Sequence, residues 1–188
     1  MGKVVHMISK KSVFFCIMSF FLITSTGTSM AQNAEGSEAQ ITSNPADQYF
    51  PVIYEDNIVW TDVRDGSSDV YLYNLTTGEE LRVTTSESEE RIPDIYGEII
   101  VWEDWRNGNW DIYMYNLSSG EESPLITGEA DQRVPRIYED RVVWEEERND
   151  NWDIYMYNIS SGEELQITDN EFDQLYPAIY GDIIAWMD

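Results

Sequence analysis

Beyond residue 31 the chain has no lysine, no histidine and no cysteine. Lys3, Lys10, Lys11, the single His6 and the single Cys16 all lie before that point. Without cysteine, residues 32–188 form no disulfide, which excludes a small cystine-stapled scaffold. Without histidine or cysteine they also lack a thiol nucleophile and an imidazole base to activate a serine. Positive charge is scarce: eight arginines stand against 36 Asp and Glu in this part, a formal charge of −28, against −25 for the whole chain. That balance repels a phosphate backbone and excludes nucleic acid as a partner. It suits a well-solvated surface in a salty or cation-rich exterior.

Long apolar runs are missing too, with one exception. Val13 to Ile23 is an 11-residue apolar core. It is preceded by the lysines and followed by a small, polar stretch ending Ser29-Met30-Ala31. These are the three parts of a secretory signal over residues 1–31, with cleavage before Gln32. The core is short of the about 20 residues that span a bilayer; the other reading is a retained, tilted anchor. Cys16 lies inside the core rather than after it, so it is not a lipoprotein cysteine. In either reading the rest of the chain lies outside the cytoplasm, secreted or at the cell surface. Residues 32–39 are a short linker.

The remainder of the sequence repeats itself. Pro51, Pro93, Pro135 and Pro177 are each 42 residues apart, and Trp60, Trp102, Trp144 and Trp186 keep the same step. Asp69, Asp111 and Asp153 keep it as well, as do Gly78, Gly120 and Gly162. The units are 51–92, 93–134 and 135–176, with a partial unit 177–188. Each reads as four short strands. In the second unit these are Pro93-Asp94-Ile95-Tyr96, then Ile99-Ile100-Val101-Trp102, then Asp111-Ile112-Tyr113-Met114-Tyr115, then Ser123 to Thr127. Turns rich in residues that tolerate positive φ separate the second and third strands: Asp65-Gly66, Asn107-Gly108 and Asn149-Asp150. The third strand decides the architecture, because it carries an aliphatic row (Ile112, Met114) and an aromatic row (Tyr113, Tyr115) on opposite faces. Both faces must be covered. Four-stranded antiparallel sheets stacked face to face around an axis do this, and the period fits a β-propeller blade. A sandwich covers one face of each sheet, and a helical solenoid conflicts with the period-two pattern.

The expected fold is therefore all-β, a propeller segment over residues 40–188 with an incomplete ring. Gln40-Ile41-Thr42-Ser43-Asn44 matches Gln166-Ile167-Thr168-Asp169-Asn170, so a lone fourth strand opens the segment. Two strands of another blade end it. Three blades and some strands fall short of the about four to eight of a closed ring. The expectation is a fragment or truncated reading frame of a longer protein, or a piece that pairs with another chain through its open blade edges.

Pro-x-Ile-Tyr, then Val-Trp-(Glu/Thr)-(Asp/Glu)-x-Arg-(Asn/Asp), then Asn-Trp-Asp-Ile-Tyr-Met-Tyr-Asn-(Leu/Ile)-Ser-Ser-Gly-Glu-Glu, resembles the TolB-like, WD40-like propeller repeat. It is most similar to the versions in archaeal and bacterial cell-surface proteins. The resemblance covers residues 40–188. It departs from the common TolB form after the first strand, where Tyr-Gly-Asp or Tyr-Glu-Asp stands in place of Ser-Pro-Asp-Gly. That departure leaves the fold intact and counts against a TolB role in envelope transport. Similar propellers also accompany serine peptidases as their non-catalytic part.

Asp62, Asp104 and Glu146 each precede an arginine by two (Arg64, Arg106, Arg148) and recur in every blade, as structural braces do. A catalytic carboxylate pair would stand in one blade only. Asp69, Asp111 and Asp153 open the third strands and tie their turns. Asp65 and Asp69 are the candidates for calcium; no cofactor is otherwise implied. Asn74, Asn116 and Asn158 begin glycosylation sequons at one equivalent turn, where Asn and Gly also suit the backbone. Trp105, Trp110 and Trp152 are candidates for stacking on a sugar or peptide, or for packing against a neighbouring blade.

The function these features favour is a non-catalytic, extracellular binding or scaffold module. Its expected partners are surface proteins, wall polysaccharide or further copies of itself. The alternative is the propeller domain of a truncated secreted hydrolase, either the gating domain of a peptidase or a carboxylate glycosidase.

Overall fold

The computed structural model describes residues 3–6, 37–148 and 150–188. Most of the predicted leader, its cleavage point and Asn149 lie outside these. Two short strands, β1 (Lys3–His6) and β2 (Ser37–Gln40), pair in parallel. Three four-stranded antiparallel sheets come next in sequence order. The first contains β3 (Gln48–Tyr54), β4 (Asn57–Asp62), β5 (Asp69–Asn74) and β6 (Glu80–Arg82). The second contains β7 (Glu90–Tyr96), β8 (Ile99–Asp104), β9 (Asp111–Asn116) and β10 (Glu121–Ile126). The third contains β11 (Gln132–Tyr138), β12 (Arg141–Glu147), β13 (Trp152–Asn158) and β14 (Glu163–Gln166). A two-stranded sheet, β15 (Leu175–Tyr180) and β16 (Ile183–Met187), ends the order. The chain is an all-β set of propeller blades that does not close into a ring. Among the described residues no helix is long and apolar enough to cross a membrane.

The two rows of each third strand go where their chemistry requires. Ile112 and Met114 pack with Val101 against Ile137, Val142 and Trp144 of the third sheet. Tyr113 and Tyr115, with Trp102, pack back against Val59, Val70, Leu72 and Val83 of the first. Every second-strand tryptophan of a complete sheet (Trp60, Trp102, Trp144) is fully buried. Burying an indole removes about 150–250 Å² from water, or about 4–6 kcal/mol each. Trp186, on the two-stranded sheet, stays 41% exposed. Ile41 covers Trp60 and Tyr71 on the outer face of the first sheet. Residues 41–44 of the expected lone fourth strand form no ladder strand, β2 ending at Gln40 and pairing with β1. Ile41 nonetheless packs on Trp60 as Val83 does on Trp102 and Ile126 on Trp144.

The first strands differ from the expectation, which began them at proline. Each of β3, β7 and β11 starts three residues before it, and β15 two residues before it. A bulge sits around the residue that precedes proline, and all four such residues are left-handed: Phe50 (φ 52°), Ile92 (53°), Val134 (52°) and Tyr176 (53°). That conformation is costly for bulky residues, above all for β-branched Ile92 and Val134. In the last three the preceding sheet stabilises it. Ile92 N donates to Thr61 Oγ1 (3.1 Å), Val134 N to Glu103 Oε1 (2.7 Å) and Tyr176 N to Glu145 Oε2 (2.7 Å). A second stitch lies nearby, where Glu90 N, Gln132 N and Gln174 N donate 2.7 Å bonds to Ser68 O, Trp110 O and Trp152 O of the preceding sheet. A ladder of Tyr54, Tyr96, Tyr138 and Tyr180 crosses all four sheets, with ring centroids 4.7, 4.9 and 5.1 Å apart.

Candidate binding face

The acid–arginine pairs form one module per complete sheet. The indole N–H of Trp60, Trp102 and Trp144 donates to Asp62, Asp104 and Glu146 at 3.0, 3.2 and 2.9 Å. Each acid binds its arginine, at 2.6 Å for Arg64 and Arg106 and 2.7 Å for Arg148. Each guanidinium then lies about 4 Å above the ring of Tyr71, Tyr113 or Tyr155 and reaches a second acid on the fourth strand, Glu80, Glu122 or Glu164. Burial pushes the Asp62 carboxyl up, and the bonds from Arg64 and Trp60 outweigh this, holding it below the usual range. The indole and the first acid are buried, while each arginine and fourth-strand acid keeps part of its surface in water, so the module braces the second strand from the core outward.

The acids at the head of the third strand are also engaged. Asp111 accepts from Asn107 Nδ2 (2.6 Å), Asn109 Nδ2 (3.2 Å) and Gly128 N (3.2 Å). Asp153 accepts from Gln166 Nε2 (3.1 Å) and Thr168 Oγ1 (3.0 Å). The calcium candidates Asp65 and Asp69 share Arg82, at 3.3 and 2.7 Å, and Asp65 also accepts from the Tyr71 hydroxyl at 2.6 Å. Among the described residues, no group of three or more His, Cys, Asp or Glu side chains is placed to hold a metal.

The sequon asparagines cap their own turns. Asn74 Oδ1 accepts from Thr76 N and Thr77 N, Asn116 Oδ1 from Ser118 N and Ser119 N, and Asn158 Oδ1 from Ser161 N. The amide nitrogen that would carry a glycan donates to Asn57 Oδ1 at Asn74 and to Asp140 Oδ2 at Asn158.

The three candidate tryptophans separate. Trp110 is buried, roofed by the Arg91 guanidinium 3.9 Å above its ring. Trp152 is half-buried beneath Arg133, at 5.4 Å. Trp105 alone keeps 41% of its surface exposed, set edge-on to Trp110 with centroids 5.0 Å apart. The other complete sheets hold Val63 and Glu147 at that position. Around it, Arg91 Nε donates to Glu103 (2.9 Å) and Arg133 to Asp131 (2.7 Å). A half-exposed ring stands edge-on to Trp110, whose own face Arg91 covers, at one end of the second sheet. Residue-type reasoning picked out the tryptophans but not the arginines beneath and beside them; the 42-residue spacing of Arg91 and Arg133 was the available signal.

The symmetry-breaking carboxylate Asp94, which a search for glycosidase acids would choose, is buried. It accepts from Ile95 N (3.0 Å) and Ile137 N (2.9 Å) of the next sheet. Burial raises its pKa, as it does that of Glu103.

These sheets, their order and their mutual packing define β-propeller blades of the TolB-like kind. No family model and no curated protein matches the chain. Solved structures do, at the level of fold. A putative TolB from Agrobacterium tumefaciens aligns with TM-score 0.59 and 18% identity over 71% of this chain and 53% of that one. TolB from Acinetobacter baumannii aligns with TM-score 0.64 and 18% identity over 78% of this chain and 39% of that one. The β-propeller domain of the trilobed protease from Pyrococcus furiosus aligns with TM-score 0.51 and 16% identity, over 62% and 38%. The chain thus spans about half or less of the structures it resembles.

Proposed function

We propose that this chain is a non-catalytic binding module that works outside the cytoplasm, and that its ligand is a protein or a wall polysaccharide. The observation that carries the reading is Trp105: a large exposed ring, set edge-on to buried Trp110, present in one complete sheet of three. Aromatic rings of this kind bury large area at little entropic cost and dominate the energetics of binding surfaces. The absence of histidine and cysteine beyond residue 31 supports a non-catalytic role. So does the engagement of the symmetry-breaking acid Asp94 with backbone N–H groups. The leader-like first 31 residues support the extracytoplasmic placement.

Titrating the chain with solubilised wall polysaccharide, followed by tryptophan fluorescence, tests this reading. Binding that Trp105→Ala weakens at least about tenfold supports a polysaccharide ligand. Binding indifferent to that change removes the platform from the proposal.

The second reading is the propeller part of a longer secreted peptidase. Its support is a structural likeness, TM-score 0.54 at 11% identity, to a puromycin-hydrolysing peptidase of Mycobacterium tuberculosis, of which this chain covers 21%. A gene encoding a nucleophile–histidine domain in continuous frame with these blades would favour it over the first.

A further inference from the structure

One repeat position starts β3, β7 and β11, stands one residue before β15, and is buried in all four: Gln48, Glu90, Gln132 and Gln174. The three glutamines use it in one way. Gln48 Nε2 donates to Ala46 O (2.6 Å), Gln132 Nε2 to Ala130 O (2.7 Å) and Gln174 Nε2 to Phe172 O, each a carbonyl two residues back. Gln132 Nε2 also donates to Glu146 Oε1 across the strand pair, at 3.2 Å. The position needs a donor. The second sheet supplies a glutamate, on the same backbone stitch, with Glu90 N on Ser68 O. Neither Glu90 carboxyl oxygen has a hydrogen bond of good geometry, although the side chain is fully buried; the Thr84 and Ser86 hydroxyls are the donors near it. Ser68 Oγ and Asp69 Oδ2, on the first sheet's side of the same seam, are buried and unpartnered too.

A bare carboxylate here would face other carboxylates. Asp104 lies opposite on β8, neutralised by Arg106. Asp69 faces it from β5, paired through its other oxygen with Arg82 of β6. The segment between β6 and β7 presents the hydroxyls of Thr84 and Ser86. On its own strand, Arg91 is already bound to Glu103. Among the described residues no cation is paired with Glu90, and the three nearby arginines, Arg82, Arg91 and Arg106, belong to other acids.

We propose that Glu90 carries a proton in the folded chain, doing with an O–H what the glutamines do with an N–H. The joint between the first and second sheets is then pH-sensitive, closed in acid and loosened as the proton leaves. The Asp69 carboxylate is the acceptor within the seam. Burial, with repulsion from Asp104 and Asp69, lifts the Glu90 pKa to about 7 against the opposing effect of the Thr84 and Ser86 hydroxyls. The sign comes from linkage. An unfolded glutamate titrates near 4.3–4.5, so between that value and about 7 the folded state binds more protons than the unfolded one. The stabilisation is complete below the unfolded pKa and is lost as pH rises through 7. A cleft lined by Asp65, Gly66, Ser67, Arg82, Thr85 and Ser86 lies at the solvent end of the seam.

The test is thermal melting of the full chain from pH 5 to pH 8.5, for the wild type and Glu90→Gln. Glutamine restores the donor used in the other sheets. The expected result is a wild-type midpoint that falls relative to the variant as pH passes neutrality. The two should end with folding equilibria at least about tenfold apart at pH 8.5. Parallel profiles would overturn the proposal. So would a wild-type loss at pH 8.5 that calcium abolishes, because the seam would then hold a cation rather than a proton. NMR titration of the glutamate side-chain carboxyl carbons in the wild-type chain reads the group without any variant. A Glu90 resonance that titrates below pH 5 refutes it as well.

Discussion

Glu103 is the residue on which the joint between the second and third sheets can be measured. Its side chain is fully buried; Oε1 takes Val134 N at 2.7 Å and Oε2 takes Arg91 Nε at 2.9 Å. Val134 is β-branched, precedes a proline and is left-handed at φ 52°, a conformation that costs about 1–3 kcal/mol unless its surroundings impose it. Glu103→Ala leaves that N–H inside the seam without an acceptor, a loss of about 1–3 kcal/mol. Arg91, a third exposed, turns to water and adds little. Removing a carboxylate whose own burial is unfavourable offsets part of the loss. The net expectation is about 2 kcal/mol of destabilisation, or a midpoint lowered by about 4–8 °C for a chain of this length. Thr61 shows that a threonine hydroxyl reaches the same kind of N–H in the preceding joint, at 3.1 Å. Glu103→Thr should therefore recover at least half of what alanine loses. Circular-dichroism melts give the midpoints, and hydrogen exchange of the Val134 amide reports the bond itself. Alanine and threonine variants of equal stability, with equal Val134 protection, would refute the stapling role.

Trp105→Ala should cost no more than about 1 kcal/mol in a denaturant melt, whereas Trp110→Ala, which empties a buried site under Arg91, should cost about 3–5 kcal/mol. The reverse order would mean that Trp105 is a packing residue. The Asp62 carboxyl, held below its usual range, contributes stability above the unfolded carboxylate pKa that is lost as pH falls below about 4. Asp62→Asn should flatten that acid limb in a pH series of melts, and an unchanged limb would exclude the pair as its source. Tyr176, Tyr180, Ile183 and Met187 are all more than half exposed on or beside the two-stranded sheet. The purified chain should therefore self-associate through this surface, and light scattering should show mass above the monomer that rises with concentration. A monomer at all concentrations would contradict this.

The architecture was legible because it rests on two local facts, a fixed 42-residue step and a third strand that is apolar on both faces. Ile112 and Tyr113 end up against different neighbouring sheets for the reason their alternation suggests. The start of the first strand was not legible. Proline and its predecessor look like a boundary, because the left-handed conformation is disfavoured there, and at Ile92, Val134 and Tyr176 a side chain 31 residues earlier helps to hold it. The fate of the tryptophans was hidden for a similar reason. Trp105 and Trp110 are chemically equal, and which of them meets water depends on Arg91, which comes from another strand.

Repetition itself says where function is to be sought. A position filled alike in every sheet carries architecture, since each sheet needs the same indole, acid and arginine to hold its second strand. A residue that departs from the pattern in one sheet gains nothing from that argument and must be accounted for alone. The second sheet gathers three such departures: Glu90 among glutamines, Asp94 where its neighbours have Val52 and Arg136, and Trp105 where they have Val63 and Glu147. Asp94 is accounted for by the two backbone N–H groups it accepts. Glu90 buries a carboxyl with no cation and no well-formed hydrogen bond, and Trp105 leaves a ring in water, and both are costs that an ordinary blade residue would avoid. Two unexplained costs within a single sheet, one at its seam and one at its surface, make that sheet the place where this chain departs from scaffold.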